Sequence, residues 1–388
     1  MSRFLFLPVP GHGHINPTLA VAAELGRRGH QVTYVVTEEF GEQVVSTGAE
    51  LVAYSNRPFV PPGAVEAQMA PLMCLLMGIA EDVAEPLLGV YDRLRPDVVV
   101  GEMWAPWSAF LVAARSANSV CLAPSYVPGP DSSLVRELRP PVGPDGRILG
   151  LERLPAIAEL YGLRPEQAAA VLFRYARRTV VFMPAEFHPE PITPHTVPHF
   201  VGPALSRDES TEGFDLSFIA DTPAVYVSLG TVYNSLTSFY AACIEAFGGG
   251  PRPAVLSHGA RITPADLPAA PANVLLAPRV PQLHVLERSA AFVTHGGMGS
   301  TMESIMYGVP MVVVPQMIEQ AVTADRVAEL GLGVRLDPAA VTVTTLAAAV
   351  TTVTEDPSYR EACARMSAAA RSAGGAQAAA DVLEAAAP

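Results

Sequence analysis

The sequence predicts two α/β domains, each built on a doubly wound parallel sheet. Three observations support this fold class. Apolar, strand-like segments alternate with amphipathic helical segments, a proline-rich stretch interrupts the alternation near the middle of the chain, and the alternation then starts again. Strands separated by helical crossovers are typical of parallel sheets. A chain of 388 residues is long enough for two or three domains.

The elements of the first half follow from this alternation. Short apolar segments predict buried strands, and longer segments of helical period predict helices. The strands are expected at residues 3–9, 32–36, 98–101, 119–123 and 180–183. Helices are expected between them, for example at residues 17–28 and 80–94.

Residues 184–222 break the alternation because they are rich in proline and polar residues, as interdomain linkers are. We therefore divide the chain into an N-terminal domain, 1–202, a linker, 203–222, and a C-terminal domain, 223–388. We leave open that the last helix packs back on the N-terminal domain. In the C-terminal domain, strands are expected in AVYVSLG, NVLLAP, AAFVTHG, MVVVP and GVRL, with helices at 236–247, 281–288, 300–307 and 319–330 and alanine-rich helices from about 342 to 386.

The composition excludes several classes of protein. The formal net charge is −13 and no block of Lys or Arg appears, whereas nucleic-acid binding needs clustered cations. The apolar segment at the N-terminus is too short for a signal peptide, and no apolar stretch approaches the ~20 residues of a membrane span. The four cysteines are far apart and show no zinc-binding spacing. We expect a cytoplasmic protein without a nucleic-acid or membrane partner.

The stretch THGGMGSTMES, residues 294–304, follows a predicted strand and opens a predicted helix. Glycines let the backbone approach a ligand closely, and a helix N-terminus favours an anion. His295 adds a further hydrogen-bond donor, so the stretch suits a diphosphate, although it is not a P-loop. The alternative is a simple turn, in which Ser300 and Glu303 form a capping box.

Two more predicted strands of the C-terminal half end in polar residues. Thr231 follows VSLG, and the stretch PQMIEQ brings Gln316, Glu319 and Gln320 after MVVVP. Ligands of doubly wound sheets collect at the carboxyl ends of the strands. The three strand ends therefore predict one ligand site.

The stretch PGHGHINP, residues 10–17, joins the first predicted strand to the first helix. It does not match the dinucleotide fingerprint, because Asn16 stands where the third glycine is needed. NAD binding and hydride transfer are therefore disfavoured. Taken by itself, His14 is either a catalytic base, since its ordinary pKa lies near neutrality, or a turn histidine bound to backbone.

Four stretches carry a resemblance to a known family: PGHGHINPTLAVAAELGRRGH, VSLGT, VPQLHVLERSAAFVTHGGMGSTMESIMYGVPMVVVPQMIEQ and RSAGGAQAAADVLEAAA. They resemble the family 1 glycosyltransferases, which use nucleotide sugars and have the GT-B fold, and among these the bacterial macrolide glycosyltransferases. The resemblance is most specific over residues 280–333 and weaker over 55–200. It implies two Rossmann-like domains facing across a cleft, with residues 1–202 binding the acceptor and 223–388 the nucleotide sugar.

The resemblance implies a role for each matching residue. His14 would be the general base, and Glu102, which ends the predicted strand of RPDVVVGEMW, would pair with it where the family usually has Asp. Glu303 would accept hydrogen bonds from ribose hydroxyls. The other implied donor-binding residues are Thr231, His295, Gly297, Ser300 and Thr301 at the diphosphate, Val280 and Gln282 at the nucleoside, and Glu319 and Gln320 at the transferred sugar.

One residue departs from the family pattern. The family commonly has Trp before the Val-Pro-Gln sequence, and this chain has Arg279. A guanidinium plane can stack on a base or bind a phosphate, so the choice between UDP and dTDP stays open. We favour UDP because the Glu303 carboxylate suits a ribose 2′-hydroxyl. Glu319 and Gln320 favour a hydroxyl-rich hexose such as glucose.

The acceptor-binding residues are expected in apolar stretches of the N-terminal domain. Met73 and Met77 suit a plastic apolar pocket, and Trp104 lies just beyond Glu102. The alternative for the methionines is an amphipathic helix that faces its own core.

The implied reaction is an inverting transfer of a hexose to a hydroxyl of a hydrophobic natural product, such as a macrolide or an aromatic polyketide. The chain contains no DxD sequence, so no metal ion or other cofactor is expected. Two alternatives use the same architecture. One is a nucleotide-sugar epimerase, in which His14 would be idle, and the other is a non-catalytic protein that binds sugar nucleotides.

Overall fold

The structure, a computed structural model, describes residues 1–54, 69–127, 148, 150–172, 178–189, 196–206, 211, 213–231 and 234–388. The chain forms two compact units. The N-terminal unit comprises Met1–Ser206 and Ala373–Pro388, and the C-terminal unit comprises Arg207–Ser372. Residues 373–388 thus belong to the N-terminal unit, the arrangement that the sequence division leaves open for the last helix. None of the described helices combines the length and apolar character needed to cross a membrane.

The described strands of the N-terminal unit form one parallel sheet in the order β3-β2-β1-β4-β5-β6-β7. In chain order they are β1 Arg3–Leu7, β2 Gln31–Thr37, β3 Glu50–Tyr54, β4 Val98–Glu102, β5 Ser119–Ala123, β6 Arg178–Val181 and β7 Val197–Phe200. The helices are α1 His12–Arg27, α2 Gly41–Ser46, α3 Met69–Asp82, α4 Ala84–Leu94, α5 Pro106–Arg115, α6 Leu154–Leu160, α7 Pro165–Leu172 and, from the C-terminal segment, α14 Gly375–Glu384.

Two strands of this sheet are not predicted by the sequence. β7 lies in the proline-rich stretch 184–222 that breaks the predicted alternation, and its Pro198 is untypical of a strand. Proline is tolerated at a sheet edge, where its missing N–H is not needed, and β7 is the last strand of the sheet. β3 lies at the opposite edge.

Helix α1 begins at His12, five residues before the predicted start. Gly11 is its N-cap, and the Gly11 carbonyl accepts hydrogen bonds from the N–H groups of His14 and Ile15, at 2.9 and 3.0 Å. Pro17, which the sequence suggests as the first helical residue, lies inside the helix. His12 and His14 therefore belong to the first turn of α1, and not to the loop before it.

Both faces of the sheet are covered. Phe4 and Phe6 of β1 point to one face, with α1 and α14, and Leu5 and Leu7 point to the other, with helices α3 to α6. Arg28 attaches α14 to the end of α1, through hydrogen bonds of 2.6 Å to both Asp381 and Glu384. The C-terminal segment thus supports the helix that carries His14.

The C-terminal unit has a second parallel sheet, with described strands in the order β10-β9-β8-β11-β12-β13. The strands are β8 Ala224–Ser228, β9 Ala254–Ser257, β10 Val274–Ala277, β11 Ser289–Thr294, β12 Met311–Val313 and β13 Gly333–Arg335. The helices are α8 Thr237–Phe247, α9 Gln282–Leu286, α10 Met298–Tyr307, α11 Ile318–Glu329, α12 Val343–Glu355 and α13 Pro357–Ser372. The sequence pattern does not predict the short strand β9.

Candidate active site

In the N-terminal unit, neighbouring strands bring a histidine and a carboxylate together. β1 and β4 are paired in parallel, with Leu7 opposite Gly101, so Glu102 at the end of β4 lies beside the segment that leads to α1. The Oε1 atom of Glu102 lies 2.9 Å from Nδ1 of His14. Its Oε2 atom accepts a hydrogen bond of 2.8 Å from the backbone N–H of Val9. Both oxygens of the carboxylate are therefore held.

This geometry determines which imidazole nitrogen is basic. Glu102 is buried, with 3% of its surface exposed, and an ionised carboxylate only accepts hydrogen bonds. The proton of a neutral His14 ring therefore belongs on Nδ1, and Nε2 carries the basic lone pair. A side chain oriented in this way, at the carboxyl ends of parallel strands, is suited to take a proton from a substrate.

His12 and the three residues predicted to bind the acceptor lie in apolar surroundings. The rings of His12 and Phe40 form an edge-to-face pair with centroids 5.1 Å apart. Met73 and Met77 are buried in the core above the sheet, and Trp104 packs against that core while remaining partly exposed. The structure places the two methionines as the core alternative describes, since helix α3 faces its own unit.

In the C-terminal unit, His295 follows β11 and lies between two glycines. A Cβ atom at Gly230 would lie 2.6 Å from Cε1 of the imidazole, and one at Gly297 would lie 2.4 Å from Nε2. Neither position can take a side chain without displacing the ring. Gly230 also has a φ of +78°, which favours glycine.

The surroundings keep His295 neutral. Part of the residue's surface is exposed, but the ring is densely surrounded by protein atoms, and this desolvation lowers the pKa of His295 to about 4. A hydrogen bond with the backbone of Ser228 acts in the opposite direction and is the weaker effect. Near neutral pH the imidazole is therefore uncharged, and its single N–H is the group that can donate to the Ser228 backbone.

Helix α10 begins at Met298, three residues after His295. Gly297 is its N-cap, and no side chain caps it. The alternative capping box of Ser300 and Glu303 is therefore wrong.

The N–H of Thr301 bonds to the carbonyl of Gly297 at 2.9 Å, so this amide does not point at a ligand, contrary to the role that the resemblance implies. The amides without an intrahelical acceptor are those of residues 298–300. Within the described part of the chain, the buried hydroxyl of Thr301 has no hydrogen-bond partner.

Gln282, the first residue of α9, connects two predicted site residues. Its Nε2 atom donates to Oε2 of Glu303 and, at 3.3 Å, to Oγ of Ser300. Its Oε1 atom accepts a hydrogen bond of 2.7 Å from the hydroxyl of Tyr226 in β8. The structure thus joins the middle of β8 to the helix that carries Glu303.

The remaining predicted donor residues lie at ends of β8, β10 and β12. Thr231 and Arg279 are exposed, and Val280 and Glu319 are partly exposed. Gln320 is buried, and its Oε1 accepts a hydrogen bond of 2.8 Å from the backbone N–H of Gln316. Only the amide NH₂ of Gln320 therefore remains to donate to a ligand.

Comparison with known proteins decides the family. The chain is 35% identical to the NDP-glycosyltransferase YjiC of Bacillus licheniformis, over 97% of this chain and 96% of that protein. The chain belongs to the family 1 glycosyltransferases. It is also 33% identical to demethyllactenocin mycarosyltransferase of Streptomyces fradiae, over 99% of this chain and 86% of that one.

Two further comparisons agree. The model of the C-terminal domain of erythromycin biosynthesis protein CIII-like proteins matches residues 255–385 of this glycosyltransferase. The structure is similar to that of the glycosyltransferase of kitacinnamycin, with a TM-score of 0.86 and 32% identity over 100% of this chain and 99% of the other. It is also similar to CalG4, the calicheamicin glycosyltransferase, with a TM-score of 0.83 and 30% identity over 100% and 98% of the two chains. This glycosyltransferase has the GT-B fold.

Three residues that contact predicted site residues are not among those that the sequence predicts. The backbone N–H of Val9 holds Glu102, Gly230 makes room for His295, and Tyr226 binds Gln282. Only Gly230 had a sequence signal, the glycine at the end of VSLG. Tyr226 reads as one apolar residue of a buried strand in this glycosyltransferase, and a backbone amide gives no signal at all.

Proposed function

We propose that this glycosyltransferase moves a hexose, with inversion, from a nucleoside diphosphate sugar to a hydroxyl of a hydrophobic natural product, and that UDP is preferred to dTDP. The observation that carries the proposal is the contact between His14 and the buried Glu102. It is the arrangement that a proton acceptor needs in a protein of this family.

The acceptor's proton goes to His14 in this scheme. As the acceptor oxygen forms its bond to the anomeric carbon, the hydroxyl proton passes to Nε2 of His14. The bond from the anomeric carbon to the diphosphate oxygen breaks, and the diphosphate leaves with the electron pair. Glu102 stabilises the imidazolium that forms, because its Oε1 lies 2.9 Å from Nδ1. A single displacement inverts the anomeric centre, through a transition state resembling an oxocarbenium ion.

We assign the leaving diphosphate to the N-terminus of α10. The amides of residues 298–300 and the helix dipole favour an anion there, whereas the single N–H of the neutral His295 ring is used by the Ser228 backbone. The amides and the dipole offset charge that develops as the bond breaks, so we propose that the reaction needs no metal ion. Excess EDTA should leave turnover within about twofold, and abolition of turnover by EDTA with recovery in Mg²⁺ or Mn²⁺ would contradict the proposal.

The choice of substrates rests on residue chemistry and on the relatives. Glu303 suits a ribose, and Glu319 with the amide NH₂ of Gln320 suits a hydroxyl-rich sugar. A dideoxy sugar lacks hydroxyls with which these two side chains could bond, and each hydrogen bond that is not made forfeits about 0.5–1.5 kcal/mol. The names demethyllactenocin mycarosyltransferase and glycosyltransferase of kitacinnamycin support a natural-product acceptor. Of the three predicted acceptor residues we keep Trp104, since Met73 and Met77 are core residues.

The proposal is tested by incubating the purified protein with UDP- and dTDP-hexoses and dideoxyhexoses against macrolides, anthraquinones and flavonoids. We expect acceptor masses increased by one hexose residue, fastest with a UDP-hexose. Preference for a dideoxy donor or for dTDP would overturn the donor assignment. A parallel reaction without acceptor separates the alternatives, because an epimerised donor would identify an epimerase, and donor binding without transfer to any acceptor would indicate a non-catalytic protein.

A further inference from the structure

Tyr226 is a buried tyrosine whose hydroxyl is directed at the candidate donor site. Its ring stacks on Phe292 of the neighbouring strand β11, with centroids 4.7 Å apart and planes 8° from parallel. The side chain is 1% exposed, and its hydroxyl donates to Oε1 of Gln282 at 2.7 Å. Packing fixes the ring, so the hydroxyl is held in one place at the end of the sheet.

Gln282 passes this constraint to Glu303. Its Oε1 accepts from Tyr226, while its Nε2 donates to Oε2 of Glu303 and to Ser300. A flipped amide would direct its oxygen at the carboxylate, and two acceptors cannot bond to each other. Tyr226 at one end and Glu303 at the other therefore define one orientation of the amide, and hydrogen bonds in such a chain strengthen one another.

We propose that Tyr226 and Gln282 are positioning residues that hold the Glu303 carboxylate in the orientation that accepts ribose hydroxyls. This inference rests on the proposed function, in which Glu303 binds the ribose of the donor nucleotide. Tyr226 acts through Gln282. Both polar atoms of the Gln282 side chain are used in this chain of hydrogen bonds, so we assign Gln282 to Glu303 and not to the nucleoside, the role that the resemblance implies. Loss of the Tyr226 hydroxyl leaves Oε1 of Gln282 without that donor and loosens the carboxylate.

The molecule offers a closely matched control in Tyr34. This tyrosine is fully buried in the N-terminal unit and stacks on Phe6 of the neighbouring strand, with centroids 4.9 Å apart. Its hydroxyl donates to the side chain of Thr18 at 2.8 Å. The change Tyr34→Phe thus removes the same kind of hydrogen bond from the same kind of ring pair, outside the candidate donor site.

The test measures the Kd of UDP and of dTDP by calorimetry for the wild type, Tyr226→Phe, Tyr34→Phe, Glu303→Gln and the double variant Tyr226→Phe/Glu303→Gln. For the nucleotide that the wild type binds more tightly, we expect Tyr226→Phe to raise Kd about five- to tenfold, as for loss of one hydrogen bond. Tyr34→Phe should stay within about twofold. With Glu303 already changed, Tyr226→Phe should add less than about twofold. Turnover at saturating donor should be unchanged in Tyr226→Phe.

The possible results separate this inference from the proposed function. Equal Kd values for Tyr226→Phe and Tyr34→Phe would overturn the positioning role, as would an undiminished effect of Tyr226→Phe beside Glu303→Gln. A wild type that binds neither nucleotide would overturn the proposed function, and this inference with it. Should Tyr226→Phe not fold, Gln282→Met takes its place and must also weaken binding only while Glu303 is intact.

Discussion

The two units each place a histidine at the carboxyl end of a parallel sheet, but in opposite electrostatic settings. His14 has the carboxylate of the buried Glu102 2.9 Å from its Nδ1. His295 lies between Gly230 and Gly297, and desolvation lowers its pKa to about 4. The imidazole of His14 thus lies beside a carboxylate, as the proposed proton acceptor requires, whereas the imidazole of His295 remains neutral.

The difference shows how neighbouring groups select one of the two uses of an imidazole. A base must become charged during the reaction, and Glu102 supplies the compensating charge. The imidazole of His295 undergoes no such change of charge in the proposed reaction, and desolvation between the glycines keeps it neutral.

The largest effect is expected from Glu102. Replacement by Ala should lower kcat on the order of 100-fold, since the base loses its orientation and its counter-charge, and should destabilise the fold by about 1–3 kcal/mol because the Val9 N–H loses its acceptor. Glu102→Gln should be nearly as inactive. A carboxamide has one acceptor oxygen, whereas the site holds two donors, Val9 N–H and His14 Nδ1–H.

Steady-state kinetics and UDP binding by calorimetry check this prediction. The Kd for UDP should remain within about twofold in both variants, because Glu102 belongs to the other unit. Wild-type kcat in Glu102→Gln would mean that the charge and the tautomer of His14 do not matter.

A smaller effect is expected from the glycines around His295. Gly297→Ala places a Cβ 2.4 Å from Nε2 of the ring, and displacement of the ring should raise the Kd for UDP about tenfold. The matched control is Gly89→Ala in helix α4 of the other unit, where a Cβ would also meet nothing within 4 Å. Binding by this variant should be unchanged, and its helix should be slightly more stable. Indistinguishable UDP affinities of the two variants would remove His295 from the donor site.

The smallest effect is the pH dependence of stability due to His295. In the unfolded chain its pKa is about 6.5, so between pH 6.5 and about 4 the unfolded state binds a proton that the folded state excludes. Stability from this residue is complete above pH 6.5 and declines as the pH falls through this window. Relative to His295→Gln, the wild type should lose about 1 kcal/mol between pH 7.5 and 5.5. Urea unfolding at both pH values measures this, and parallel losses in the two proteins would mean that the imidazole is not desolvated.

The sequence predicts the alternation of strands and helices well, but it fails where position in the sheet decides. β7 contains Pro198 and forms only because an edge strand tolerates proline. Helix α1 starts at His12 because the carbonyl of Gly11 caps it, which the pattern around Pro17 hides. Such features depend on neighbours that are distant in the sequence or on backbone geometry.

The candidate site shows the same limit. The resemblance suggests His14 and Glu102 as partners, and the pairing of β1 with β4 brings them into contact. In contrast, the chain of hydrogen bonds from Tyr226 to Glu303 links residues of three separate elements. No spacing in the sequence predicts it, because a tyrosine in a buried strand looks like any other apolar residue.

The proposed reaction requires His14 as the general base, and one measurement tests that role of His14. The turnover of His14→Ala is compared with that of the wild type at pH 7, with an acceptor whose only reactive group is an aliphatic hydroxyl, while calorimetry follows UDP binding. We expect kcat to fall about 100- to 10,000-fold, with UDP affinity unchanged. Turnover at the wild-type rate would contradict the account.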